Sequence, residues 1–94
     1  MDKRFNPLSP AEELHARRVL AEELAAAPGM PIPAVIRKIR GSLRLTIAEY
    51  AKVCGVSART LQDIEREVSS PTLVTVEKLL RPMGMAPGAV AKPR

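Results

Sequence analysis

Residues 46–65 read TIAEYAKVCGVSARTLQDIE, and this stretch decides the fold. Thr46 followed by Glu49 forms a capping box, in which each side chain accepts a hydrogen bond from the other residue's backbone N–H, so a helix begins here. Gly55 can adopt the left-handed backbone that ends a helix at little cost. Ser57 is a good N-cap for a second helix immediately afterwards. The stretch therefore predicts two short helices joined by a tight turn.

The residues between these helices have the sizes that a close crossing needs. Ala51, four residues before Gly55, is small enough to lie where the helices meet. Leu61 and Ile64 are spaced to pack the second helix onto the first, and the remaining space is filled by Tyr50, Cys54 and Val56. The outward side of the second helix is left with short or hydrogen-bonding side chains, which suit the base edges of a major groove: Ala58, Arg59, Gln62, Asp63 and Arg66.

The spacing Ala-x3-Gly-Val-Ser-x2-Thr-Leu-x2-Ile-Glu over residues 51–65, followed by SPTLVTVEKLL at residues 70–80, resembles the Cro and phage-repressor (XRE-like) helix-turn-helix family. The resemblance covers about residues 34–85. Two positions depart from the family pattern. Ile47 stands where the family often has a Gln that supports a phosphate contact, and Glu67 stands where it commonly has Gly.

The resemblance implies which side chains would touch DNA. Base contacts would come from Ala58, Arg59, Gln62 and Asp63. Phosphate contacts would come from Ser57, Thr60, Arg66, Ser69 and Ser70, to which we add Arg44 and Thr46. Each has a plainer interpretation: Ser57 is a helix cap in either case, Arg59 could be a solvated arginine, and Asp63 could exclude bases or orient Arg59 rather than touch a base.

A further helix is predicted at residues 9–27, outside the family resemblance. Ser9 and Glu12 form a capping box around Pro10, which suits a first helical position. An apolar stripe follows, made of Ala16, Leu20, Leu24 and Ala27. A helix of this length is marginal in water without a surface to pack on. The stripe must therefore cover its own domain, a partner subunit, or a toxin or other protein.

The remaining helices flank the central pair. One is predicted to begin near Pro33, with its buried face at Ile36, Ile39 and Leu43 and a solvated basic face that could track a phosphate strand at Arg37, Lys38, Arg40 and Arg44. Pro71 is predicted to open the last helix, whose buried face would be Leu73, Val76, Leu80 and Met83. We expect an N-terminal arm and a mobile basic tail from Ala86. The predicted organisation is an arm, extra helix and linker at 1–31, a DNA-binding domain at 32–85 and a tail at 86–94.

Composition limits the classes of function. The chain has 94 residues and a net charge of +5, of which residues 32–94 carry +6, as expected of a polyanion binder. The single Cys54 cannot form an internal disulfide and is predicted to be a small core residue, while His15 has no second ligand or base nearby. We therefore expect no metal, no cofactor and no enzyme chemistry, and, with no signal peptide or long apolar run, a cytoplasmic protein.

The sequence thus predicts an all-α bundle of about five helices that binds double-stranded DNA. The leading hypothesis is a sequence-specific transcriptional regulator, a repressor that acts as a homodimer on a palindromic operator. The alternative is the antitoxin of a toxin–antitoxin pair, with the helix at residues 9–27 gripping the toxin. Because a fold does not fix a function, a protein-interaction module without DNA binding stays open.

Overall fold

The computed structural model describes residues 7–91, and over this range the protein consists of five α-helices without a strand. The helices are α1 (Pro10–Ala25), α2 (Ile32–Ser42), α3 (Ile47–Cys54), α4 (Ala58–Glu65) and α5 (Leu73–Leu80), and a short 3₁₀ turn follows at Arg81–Met83. The predicted all-α class is confirmed. Within residues 7–91 no helix is long and apolar enough to cross a membrane.

One apolar core joins all five helices. Its largest fully buried side chains are Leu20, Ile36, Ile39, Tyr50, Leu61, Ile64 and Leu79. The hydroxyl of Tyr50 donates a hydrogen bond to the carbonyl oxygen of Leu79, which satisfies the only polar atom of that buried ring. Cys54 is buried beside it, as predicted for a core residue, and burial raises the pKa of its thiol.

Helix α1 packs on its own domain. Its capping box is formed as predicted, with the Ser9 hydroxyl accepting from the Glu12 N–H at 3.2 Å and the Glu12 carboxylate accepting from the Ser9 N–H at 2.9 Å. Leu20 and Leu24 lie in the core, and α1 contacts α2. The guanidinium of Arg17 also donates to the carbonyl oxygen of Pro82 at 2.7 Å. The two leucines of the apolar stripe therefore pack on the protein's own domain, the first of the three predicted alternatives.

The structure corrects the boundaries of two helices. Helix α1 ends at Ala25 rather than at Ala27, and Gly29 turns the following linker with a φ of 85°. Helix α5 begins at Leu73 rather than at Pro71, because the Thr72 hydroxyl accepts from the Thr75 N–H at 3.2 Å and caps it.

The predicted face of α5 is also partly wrong. Leu73 is 71% exposed, whereas the core takes Val76 and Leu80 as predicted and Leu79 in addition. Met83 is half-buried against the core. The buried face is therefore rotated toward Leu79, and Leu73 faces solvent.

The segment after the 3₁₀ turn lies near the linker between α1 and α2. A β-carbon placed on Gly29 would be 3.2 Å from a methyl group of Val90, so Val90 covers that glycine. Met85, Pro87 and Gly88 line a shallow apolar cavity together with residues of the linker. The end of the predicted tail, residues 92–94, and most of the predicted arm, residues 1–6, lie outside the described range.

Candidate nucleic-acid interface

The turn between α3 and α4 sets the geometry of the candidate interface. Gly55 has φ 77° and ψ 32°, the left-handed conformation predicted for it. A β-carbon at this position would meet nothing within 4 Å, so the need for glycine comes from the backbone angle and not from lack of space. The Val56 N–H donates to the Ala51 carbonyl at 3.0 Å and closes the turn.

The inner faces of α3 and α4 are buried against each other and the core. Ala51 is 2% exposed, Leu61 is fully buried and Ile64 is 1% exposed. These are the residues that the sequence placed at the crossing, and the prediction is confirmed. Because the inner side of α4 is anchored by two buried side chains, the orientation of its outer side is fixed by the core.

The N-termini of both helices are capped by hydroxyl side chains. Thr46 and Glu49 form the predicted capping box, at 3.1 Å and 2.8 Å, and the hydrogen bond from the Thr46 backbone lowers the pKa of the Glu49 carboxyl. The Ser57 hydroxyl accepts from the Thr60 N–H at 3.0 Å and donates to the Thr60 hydroxyl oxygen at 2.8 Å. The proton of the Thr60 hydroxyl is therefore left to donate elsewhere.

The outward face of α4 brings together the four side chains predicted to contact bases. Ala58, Arg59 and Gln62 are exposed, and Asp63 is half-buried. The Arg59 side chain is 83% exposed, and its Nε lies 3.3 Å from Oδ2 of Asp63, whose side chain is 26% exposed. The helix thus presents a guanidinium, an amide and a methyl group to solvent.

The loop after α4 contains the remaining candidate phosphate contacts. Arg66, Ser69 and Ser70 are all exposed. Glu67 has φ 60°, a left-handed backbone that side-chain-bearing residues rarely adopt. This backbone angle explains why glycine suits the position in the family that the chain resembles.

Arg44 has different surroundings from the other candidates. It is exposed and lies in the turn after α2 with φ 55°. Hydrogen bonds with Ser9 lower the pKa of the Glu12 carboxyl, and the charge of Arg44 adds to this effect. Arg44 also lines a cavity together with Glu13 and Glu49. Arg44 therefore lies among carboxylates, which weaken the attraction between its guanidinium and a phosphate.

The prediction that the basic side chains of α2 are solvated is wrong for Arg40. Its Nε and Nη2 donate to the two carboxylate oxygens of Glu65 at 2.8 Å and 2.9 Å, and the side chains of Arg40 and Glu65 are 20% and 6% exposed. This hydrogen bonding raises the pKa of the Arg40 guanidinium further. A carboxylate this deeply buried requires a paired cation, which Arg40 supplies.

Two neighbours of Arg40 are also engaged within the protein. Arg37 donates to the Glu65 carbonyl oxygen and lies 3.7 Å from the Glu67 carboxylate, and Lys38 lies 2.5 Å from the Glu23 carboxylate. The basic side chains of α2 hold α1 and the end of α4 in place. Sequence reasoning missed Glu65 as the partner, because the pair spans 25 residues and no local pattern joins its members.

The structure brings no group of three metal-ligating side chains together within the range it describes. One comparison with known proteins agrees with the helix-turn-helix geometry of α3 and α4. A Cro/C1-type helix-turn-helix family model matches residues 36–89, more than half of the chain and close to the extent of the predicted resemblance. Searches among curated proteins and among solved structures gave no match.

Proposed function

Because the chain belongs to the Cro/C1-type helix-turn-helix family of DNA-binding regulators, we propose that it is a sequence-specific repressor that occupies a palindromic operator as a homodimer. Its action would be occlusion of the promoter, with no chemical step. The observation that carries the proposal is the division of α4 into two sides. Leu61 and Ile64 anchor the helix in the core, while Arg59 and Gln62 are exposed on the other side.

The outward face of α4 would supply the base contacts. Arginine can donate two hydrogen bonds to a guanine, glutamine can bond an adenine with its amide, and a small methyl side chain such as Ala58 fits against a thymine methyl group. The carboxylate of Asp63 can only accept, so a direct contact would require a cytosine amino group. Ala58, Arg59 and Gln62 are the proposed readers of sequence, and Asp63 lies beside them on the same face.

The phosphate contacts would come from the turns on either side of α4 and from the start of α3. Thr60 is the best placed of the hydroxyls at the start of α4, since its proton is free while that of Ser57 is used within the cap. Both Ser57 and Thr46 lie at helix N-termini, where backbone N–H groups attract anions. Arg66, Ser69 and Ser70 follow α4 and are exposed, whereas Arg44 has the weakest support because of the carboxylates around it.

Selection from a pool of random duplex DNA tests the proposal. A dimer should enrich a palindrome whose half-sites are centred about 34 Å apart, which is one turn of the DNA helix. Arg66→Ala should weaken binding to all sequences alike and reduce the salt dependence by about one unit of slope, as expected for a lost phosphate contact. If no sequence is enriched by the wild-type protein, the claim of sequence specificity is wrong.

The dimer surface is proposed near the loop between α4 and α5. Val68, Leu73 and Val74 are 62%, 71% and 62% exposed, and they lie in this loop and the first turn of the following helix. Leu73→Asp should shift the protein to monomers in sedimentation velocity and weaken binding to a full palindrome far more than binding to a half-site. The matched control is Leu14→Asp, because Leu14 is 61% exposed on α1. Unchanged sedimentation of the Leu73 variant, or an equal shift in the control, contradicts this surface.

A further inference from the structure

We propose that Asp63 is a positioning residue that holds the Arg59 guanidinium in the orientation that reads a guanine, rather than a residue that contacts a base itself. This inference rests on the proposed function of α4 as the recognition helix. Its basis is the contact between Nε of Arg59 and Oδ2 of Asp63, at 3.3 Å and one helical turn apart. This contact favours guanine as the base that Arg59 recognises.

The side chains of Asp63 and Arg59 differ in how exposed they are. The Asp63 side chain is 26% exposed and that of Arg59 is 83% exposed, so the carboxylate is the more buried of the two. A partly buried carboxylate that accepts from Nε restricts the rotation of the longer side chain. Arg59 alone could lie along many directions, including toward the phosphates on either side of the groove.

The bond to Nε also determines which donors remain. A guanidinium has five N–H groups, one on Nε and two on each terminal nitrogen. With Nε held by Asp63, the two terminal nitrogens are left to donate side by side. That pair of donors matches the O6 and N7 acceptors of guanine in the major groove. The geometry therefore favours end-on recognition of one guanine in each half-site.

The negative charge of Asp63 predicts opposite effects of its removal on the affinity for random DNA and on the preference for guanine. A carboxylate on the DNA-facing helix repels every phosphate backbone and lowers the affinity for any sequence. Removing it should therefore strengthen binding to random DNA and at the same time weaken the preference for guanine. If Asp63 had only a structural role, its removal would change the affinity and the base preference only together with a loss of stability. If it acted only through its charge, its removal would leave the base preference intact.

The test uses the operator selected by the wild-type protein and its single-base-pair variants, with affinities measured by fluorescence anisotropy at one salt concentration. Wild type should prefer guanine over other bases at one position per half-site by about five- to 150-fold. Arg59→Ala should abolish that preference. Asp63→Ala should lower it about two- to fivefold, the range that an exposed pair of this kind supplies, and should raise the affinity for random DNA.

Asp63→Asn is the matched variant, because it keeps an oxygen that accepts from Nε and removes the charge. It should retain most of the guanine preference while binding random DNA more tightly than wild type. Glu22→Ala is the control, because it removes an exposed carboxylate on α1, outside the proposed interface, and it should leave the guanine preference unchanged. Thermal melting of each variant, within a few degrees of wild type, establishes that the fold is intact.

Two results would overturn the proposal. One is an unchanged guanine preference in Asp63→Ala, which would show that Asp63 does not orient Arg59. The other is a loss of preference at a cytosine position separate from the guanine, which would show a direct base contact by Asp63. Failure of the wild type to select any operator is a different outcome, since it contradicts the proposed function before the variants are compared.

Discussion

Removing either member of the ion pair between Arg40 and Glu65 should destabilise the protein, and the two costs should differ. The carboxylate is 6% exposed and both of its oxygens accept from Arg40, so Arg40→Met leaves a buried charge without a partner. Breaking such a pair from that side should cost about 3 kcal/mol, near the low end for buried pairs because water reaches the arginine side. Glu65→Met should cost less, about 1–2 kcal/mol, since the 20% exposed guanidinium can turn to water and still donates to Leu45.

The double variant Arg40→Met/Glu65→Met completes the cycle. With both charges replaced by apolar side chains of similar length, no buried group is left unpaired, and the cost should be no greater than that of Arg40→Met alone. The free energy of unfolding is measured by urea denaturation at neutral pH for the wild type and the three variants. Equal costs for the two single variants, or a double variant whose cost equals their sum, would refute the reasoning.

Three further changes have defined outcomes. Glu67→Gly should stabilise the protein by about 1 kcal/mol in urea denaturation, because its φ of 60° costs a side-chain-bearing residue more than glycine; a loss of stability would contradict this. Leu20→Ala should cost about 2–5 kcal/mol and the exposed control Leu14→Ala less than about 0.5 kcal/mol, and similar melting of the two would show that α1 does not share the core. The capping boxes lower the pKa values of Glu12 and Glu49, so their contribution is present above the unfolded pKa and lost as pH falls through the lowered folded values. Between about pH 5 and pH 3, the variant with Gln at both positions should therefore lose less stability than wild type, and an equal loss would count against the charged caps.

The parts of the fold that depend on neighbours in the sequence were predictable. The capping box at Thr46, the left-handed Gly55 and the Ser57 cap each act within four residues, and all three are present in the structure. The buried pair Leu61 and Ile64 follows from helical periodicity, which is equally local. The candidate interface is built from these local signals, which is why its outline could be drawn from the sequence.

The parts that depend on distant contacts were not predictable. The periodicity of α5 fits two overlapping faces, and only packing against the rest of the core places Leu79 inside and Leu73 outside. The pairing of Arg40 with Glu65 joins α2 to the end of α4 across the fold, so a pattern of basic residues on α2 gave the wrong surroundings for Arg40. Likewise, the apolar stripe of α1 was compatible with packing on its own domain, on a partner subunit or on another protein, because its pattern does not specify the surface that covers it.

The salt dependence of DNA binding tests the central claim most directly. The affinity of the wild-type protein for a labelled duplex is measured over a series of salt concentrations, and its logarithm is plotted against the logarithm of the concentration. If the turns around α4 contact about six phosphates, the slope should be about −5, because each neutralised phosphate releases bound counterions. A flat slope, or no binding to duplex DNA at low salt, would contradict the account of this protein as a DNA-binding regulator.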